Sequence, residues 1–231
     1  MTKFNLKNKI LIGITLFSMF FGAGNLIFPP FLGAQAGTST VPAFIGFAVS
    51  AVGLPVLGVV AVTLAGGLDR LASRVHPGFA FVYILILYLA IGPCLAIPRT
   101  ASTSFSMAVI PFFPGENSIA VVQFIYSLVF FAAASVIAMH PEKLTEYLGK
   151  RLTPVLLVLI VVLFAAAALD PAGEAAAPVE IYRSGAPVQG FVDGYQTMDT
   201  LAALNFGMIV AMNIRARGIT KEKAVMRETI S

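Results

Sequence analysis

The chain has 231 residues, 58% of them hydrophobic and only 11% charged, with a mean hydropathy of +0.90. Soluble globular domains carry roughly a quarter charged residues, so this composition excludes an ordinary soluble enzyme and describes an all-α integral membrane protein. The net charge of +4 is the one feature that suggests nucleic acid, and its distribution along the chain removes that reading below.

The first residues, Met1 to Lys9, are short and basic, and no small-residue cleavage site follows the first apolar run, so the first helix is read as retained rather than as a signal peptide. No Asp, Glu, Lys or Arg occurs from Ile10 to Leu68. A hydrocarbon core of about 30 Å takes roughly 20 residues of helix, which places span 1 at about Lys9 to Phe28. Within it stands Phe20-Phe21-Gly22-Ala23-Gly24-Asn25-Leu26-Ile27-Phe28-Pro29-Pro30. Glycine is a poor interior helix residue, and an Asn at bilayer depth needs a partner. Pro29-Pro30 is expected to bar a regular continuation, with an uncharged turn from Phe31 to Thr40. The arrangement that satisfies these residues is a spanning helix interrupted near the midplane, its free backbone groups facing a buried site. A close-packing glycine pair before an ordinary helix end is the plainer alternative.

Span 2 runs from about Val41 to Leu64 and closes at Gly66-Gly67, followed by Asp69, Arg70 and Arg74. Span 3 starts at Pro77, is interrupted at Gly92-Pro93, and reaches Pro98, with a semi-polar helical continuation from Thr100 to Ile110. Span 4 is Ile119 to Met139, ending at His140-Pro141; span 5 is Leu152 to Leu169, stopped by Asp170-Pro171-Ala172-Gly173. The segment from Glu174 to Pro187 reads as a loop. Span 6 covers about Val188 to Ile214, with Asp193, Gly194, Tyr195, Gln196, Thr197 and Asp199 where lipid-facing residues belong, and a charged tail from Arg215 to Ser231. The single cysteine, Cys94, excludes an internal disulfide and lies in an apolar run, where a buried thiol is expected. His76 and His140 both precede a proline at a helix start and read as interfacial residues.

Basic residues fix the expected orientation. With the N-terminus inside, Lys3, Lys7, Lys9, Arg70, Arg74, Lys143, Lys150, Arg151 and the basic residues of the tail are all cytoplasmic. Arg183 falls outside, and Arg99 lies near span 3, where snorkelling to the interface is the plain reading. The chain is thus expected to cross the membrane six times with both ends in the cytoplasm. Topology accounts for the positive charge, and nucleic acid is excluded as a partner.

The interruptions of spans 1 and 6 belong together. The second lies between Gly190 and Asp199, and an intramembrane acid is by itself a functional-site hypothesis. If the two breaks meet, half-helix N-termini offer N–H groups to a substrate carboxylate, and half-helix C-terminal carbonyls offer oxygens to a hard cation. The amide oxygen of Asn25 and the hydroxyl of Thr197 complete such a cage, while Phe20, Phe21, Leu26 and Met198 suit an aliphatic side chain. The plainer alternatives are a helix-start acid for Asp193, a belt residue for Tyr195, and structural hydrogen bonds for Asp199 and Asn25.

Three separated motifs carry a resemblance: Phe21 to Pro30, Gly92-Pro93-Cys94-Leu95-Ala96-Ile97-Pro98-Arg99-Thr100, and Gly194-Tyr195-Gln196-Thr197-Met198-Asp199-Thr200-Leu201. Together they resemble the bacterial branched-chain amino acid:cation symporter family, and the similarity extends over the whole chain. That family looks like a relative of the sodium-coupled neurotransmitter and amino acid symporters, and Gly22-Ala23-Gly24-Asn25 is similar to their glycine-x-glycine-Asn signature. The resemblance implies the inverted-repeat (5+5) symporter fold with broken helices 1 and 6. In a single membrane domain, residues 9–173 would form the first repeat, 188–214 the first helix of the second, and 215–231 a cytoplasmic tail. It also implies symport of leucine, isoleucine or valine with sodium across the bacterial inner membrane, without a cofactor. Gly22, Ala23, Gly24, Asn25, Tyr195, Thr197, Met198 and Asp199 would bind substrate, and Phe20, Phe21, Asn25 and Thr197 would ligate sodium. Family members have about twice as many spans, so the chain is expected to be a fragment or truncated product lacking the ion ligand of span 8. The alternatives are proton coupling through Asp199 and a non-transporting membrane fragment. A membrane-embedded enzyme is not expected, because no nucleophile–base or metal set is recognisable.

Overall fold

A computed structural model describes residues 13, 14, 17, 19–112, 119–139, 153–170, 173 and 175–216 of the chain. The expectations for the basic N-terminal residues, for His140 and the loop of Lys143, Lys150 and Arg151, and for the tail beyond Ala216 lie outside these. Every regular element among the described residues is helical. The chain divides into two compact units, one of residues 1–88 with 170–231 and one of residues 89–169.

In the first unit, helical backbone ends at Phe20, and Phe21 and Gly22 are non-helical. Helix α1 then runs from Ala23 to Ala36. It passes through Pro29 and Pro30, where a turn was expected. The prolines cannot donate to the carbonyls of Asn25 and Leu26, yet Leu32 and Ala36 beyond them are fully buried. Packing of this last stretch, in a setting with no water for a non-helical backbone, outweighs two missing hydrogen bonds. The turn comes only at Gly37–Ser39, where Gly37 has a φ of 49°.

Helix α2 (Thr40–Ala48), a π-helical segment (Val49–Gly53) and helix α3 (Leu54–Ala65) follow as one rod. The rod ends in a left-handed Gly66, and short helix α4 is Leu68–Ser73. Helix α5, Pro77–Leu89, starts at the expected proline, and the Nδ1 of His76 accepts the N–H of Gly78 at 3.0 Å as a cap.

The second unit begins with a π-helical segment, Ala90–Cys94, kinked at Gly92 (φ −84°, ψ −116°), and continues as α6, Ala96–Ala108. The interruption is where Gly92-Pro93 predicts it. Cys94 is exposed on this kink, not buried, because an apolar run does not by itself bring a packing neighbour to each of its residues. Helix α7 (Ile119–Ala138) packs on α6 through Tyr126, whose hydroxyl bonds Ser104 at 3.0 Å and whose ring lies 5.4 Å from that of Phe105. Helix α8 is Thr153–Leu169.

Back in the first unit, the segment expected to be a loop up to Pro187 is helical from Glu180. Helix α9 is Glu180–Tyr195 and helix α10 is Asp199–Ala216. Tyr182 and Ala186 enter the core formed by Leu32, Ala36, Ala43 and Phe47, which is why the helix starts early. Among the described residues, three helical stretches are long and apolar enough to cross a membrane: Ala23–Ala65, Pro77–Phe112 and Ile119–Ala138. Thr153–Leu169 is a shorter apolar helix.

Candidate functional site

The rod of α2 and α3 is what brings the two interrupted helices together. Helix α2 packs along α9, and α3 along α10. Small residues make the first contact. A Cβ on Gly190 would overlap the backbone of Ala43, one on Gly46 the backbone of Pro187, and one on Gly194 the Ser50 hydroxyl and the Phe47 carbonyl. This is the small-residue packing of membrane helices, in which backbones approach until only glycine fits. Gly190 and Gly194, expected to belong to the break, are therefore close-packing residues inside a continuous helix. The interruption is confined to Gln196–Met198.

That interruption lies beside the π-helical segment of the rod: Thr200 Oγ1 donates to the Ser50 carbonyl at 3.5 Å, and Ser50 is fully buried. The turn is held by its own backbone. The carbonyl of Gly194 accepts the N–H of Thr197 at 3.3 Å and its hydroxyl at 2.8 Å. The N–H of Met198 bonds the Tyr195 carbonyl at 3.1 Å, and Thr197 Oγ1 accepts the N–H of Asp199 at 3.5 Å. Met198 has a φ of 67°, in the left-handed region that L-residues avoid.

At the first interruption the Asn25 side chain does the bridging. Its Nδ2 donates to the carbonyl of Phe20 at 3.0 Å, a group that the break has taken out of the helical ladder. The Asn25 N–H bonds the Gly22 carbonyl at 3.1 Å. With the amide nitrogen so engaged, Oδ1 is the end of Asn25 able to meet a ligand. The N–H groups of Ala23 and Gly24 belong to the first turn of α1, where a helix has no internal acceptor for them.

Between these parts lies a cavity of about 440 Å³, within the size range of small-ligand sites. Phe17, Phe20, Phe21 and Asn25 line it from the first interruption, Asp199 from the start of α10, and Ala51, Val52, Pro55, Val56, Val59 and Val60 from the rod. Asn25 and Asp199 are the polar lining residues. The ring of Phe206 closes edge-on against Phe20 at 5.4 Å. Of the residues singled out in the sequence, Phe20, Phe21, Asn25 and Asp199 thus meet at one cavity, with Gly22, Ala23 and Gly24 in the adjoining backbone. Thr197 and Met198 are spent on the turn, and Tyr195 points outward, about half exposed. Leu26 is also largely exposed. Asp193 is not a helix-start acid: it lies in the last turn of α9 and is buried.

The rod's lining residues were missed by sequence reasoning. Their spacing in pairs four apart is a helical face, but on a helix apolar all round no polar side marks which face is turned inward.

These features define an all-α, multi-span membrane protein with two adjoining helix interruptions at an apolar cavity, consistent with part of a larger symporter fold. The family model described as "Branched-chain amino acid transport protein" matches residues 5–231, and the chain belongs to that family. Branched-chain amino acid permease BraB of Bacillus subtilis (strain 168) is 39% identical over 220 residues, covering 95% of this chain and 49% of the relative. Permease BrnQ of the same organism is 44% identical over 219 residues, covering 94% and 50%. A putative branched-chain amino acid carrier of Staphylococcus aureus (strain MRSA252), SAR1419, is 41% identical over 234 residues, covering 97% and 51%. The chain therefore spans about half the length of the curated relatives it matches. No solved structure matches it. The family is one of transport proteins, not of enzymes.

Proposed function

We propose that this chain supplies the solute- and ion-binding half of a secondary transporter that moves leucine, isoleucine and valine across the bacterial inner membrane together with sodium. In this reading the chain crosses the membrane six times with both termini cytoplasmic. Residues 9–173 are one five-helix repeat, and the helix interrupted at Gln196–Met198 opens the next. The observation that carries the proposal is the meeting of two interrupted helices at one cavity whose lining is aliphatic and aromatic except at Asn25 and Asp199. A branched aliphatic side chain fits the valines of the rod and the phenylalanines of the first interruption. The Asp199 carboxylate suits the solute ammonium, and the free N–H groups at the start of α1 suit its carboxylate. Sodium is a hard cation that takes oxygen ligands. Asn25 Oδ1 and the backbone carbonyls of Phe20 and Phe21 at the first interruption are oxygens of the required kind.

Asp199 on the cavity also favours a second reading, in which a proton replaces sodium. Radiolabelled leucine binding to the protein in liposomes separates the two. Replacing sodium by choline at constant pH should weaken binding at least tenfold; undiminished binding would leave the proton reading standing. Asn25→Ala removes both the bridge to the Phe20 carbonyl and the proposed ligand, and should abolish the sodium dependence. Sodium-dependent binding that survives Asn25→Ala would overturn the assignment of Asn25.

A further inference from the structure

Helix α9 carries a polar cluster that solute binding at the cavity does not use. Tyr182 and Asp193 are each 3% exposed. The Tyr182 hydroxyl donates to Asp193 Oδ2, and Gln189 Nε2 donates to Asp193 Oδ1 at 3.0 Å. A buried carboxylate is retained only where hydrogen bonds replace its water, and here both of its oxygens accept one.

The spacing of the pair is the informative point. In a straight α-helix, residues 182 and 193 would be separated by about 16.5 Å along the axis, beyond what a tyrosine and an aspartate side chain can bridge. They meet because α9 is not straight between them: Gly185 has non-helical φ −144° and ψ 35°, and Pro187 follows inside the helix. The Tyr182–Asp193 bond therefore spans a kink, and Gln189, one turn before Asp193 on the same side of the kink, holds the acid's other oxygen. Each end of the bond is anchored elsewhere. The Tyr182 ring is part of the core with Leu32, Ala36, Ala43 and Phe47. Asp193 is three residues before Gln196, whose N–H bonds the Asp193 carbonyl at 3.2 Å as the helix ends.

We propose that Tyr182, Asp193 and Gln189 form a latch across the α9 kink that fixes where the helix ends, and hence where the Gln196–Met198 turn presents Asp199 to the cavity. These are positioning residues; none of them lines the cavity. Gly190 and Gly194 keep α9 packed on α2, so releasing the latch removes the remaining tie across the kink and loosens the last turn and the interruption that follows it. The consequence for solute binding rests on the function proposed above, whereas the latch itself does not.

The test is made on protein reconstituted in liposomes, with Cys94→Ala and Ser50→Cys as the common background, by measuring the maleimide labelling rate at position 50, which is fully buried against Gly194 in the last turn of α9. Tyr182→Phe keeps the ring in the core and removes only the hydroxyl, so the fold is retained. It should raise the labelling rate roughly tenfold or more, the effect of one lost buried hydrogen bond to a carboxylate on a local opening equilibrium. Asp193→Ala removes the acceptor altogether and should act at least as strongly, and the double variant with Tyr182→Phe should label no faster than Asp193→Ala alone, because the hydroxyl then has no bond left to lose. An unchanged rate in Tyr182→Phe, or additive effects in the double variant, would overturn the latch. Leucine binding is measured on the same samples. Weaker binding in step with faster labelling supports the positioning role, and faster labelling with unchanged leucine affinity overturns it. If the background protein binds no leucine, the proposed function fails, while the labelling rates still decide the latch.

Discussion

Met198, with a φ of 67°, is the one non-glycine residue of positive φ among the described residues. The left-handed region costs an L-residue about 1–2 kcal/mol, and Met198 is held there because its N–H and carbonyl both take part in the turn, bonding Tyr195 at 3.1 Å and Ala202 at 3.0 Å. Met198→Gly relieves the strain but adds backbone entropy to the unfolded chain, so its thermal midpoint in detergent should equal or exceed that of the native protein. Met198→Val, β-branched and worse suited to this region, should lower the midpoint by several degrees; the order Gly ≥ Met > Val is the outcome to look for. The sequence identifies Met198 as an apolar neighbour of the site and, by resemblance, as a substrate-binding residue. Its backbone role is invisible there, because it is imposed by the two helices that the turn must join. Asn25 is legible from its residue type, since an amide at bilayer depth demands a partner. That the partner is the Phe20 carbonyl, freed by the break itself, appears only in three dimensions.

At the scale of elements, glycines with the same local helical propensity have opposite meanings. Gly33, inside α1, has open space where a Cβ would be, whereas at Gly190 a Cβ would fall on the backbone of Ala43. Gly33→Ala should therefore be neutral or stabilising by up to about 1 kcal/mol. Gly190→Ala must force α2 and α9 apart and should cost about 1–3 kcal/mol. Thermal melts of the two variants side by side check this, and equal effects would mean that α2 and α9 do not touch as described. The helices themselves are readable from uninterrupted apolar runs, and the kink at Gly92 from the glycine-proline pair. Pro29-Pro30 and the residues from Glu180 to Pro187 mislead for one reason: local breakers were weighed without the packing of Leu32, Ala36, Tyr182 and Ala186, which draws both stretches into helix.

For the whole molecule, the first unit carries a prediction of sidedness. The rod from Thr40 to Ala65 is roughly 39 Å long at 1.5 Å per residue, more than the hydrocarbon core of about 30 Å. Its start is tied to residues 175–179, where the Val179 N–H bonds the Gln35 carbonyl at 3.0 Å and the Thr38 N–H bonds the Ala176 carbonyl at 3.1 Å. Its far end leads into α4 and Arg74. Glu180 and Arg74 are therefore expected on opposite faces of the bilayer. With Cys94 replaced, a cysteine at 180 should react with a membrane-impermeant maleimide on intact cells, and one at 74 only after lysis. The reverse result would invert the cytoplasmic assignment of Arg70 and Arg74.

The sequence by itself determined the class of protein, because hydrophobic length and the placement of charge are properties of the chain that the bilayer reads directly. It also marked the interruptions, since glycine, proline and buried amides are costly in a spanning helix wherever the helix lies. Only the tertiary structure decided which of those residues face the cavity and which hold helices together. Gly190 and Gly194 went to packing, Thr197 and Met198 to the turn, Asp193 to a bond across the α9 kink, and a row of valines to the cavity wall. Those assignments depend on the direction in which a neighbouring helix approaches, and an all-apolar helix has no sequence feature that points to its neighbour.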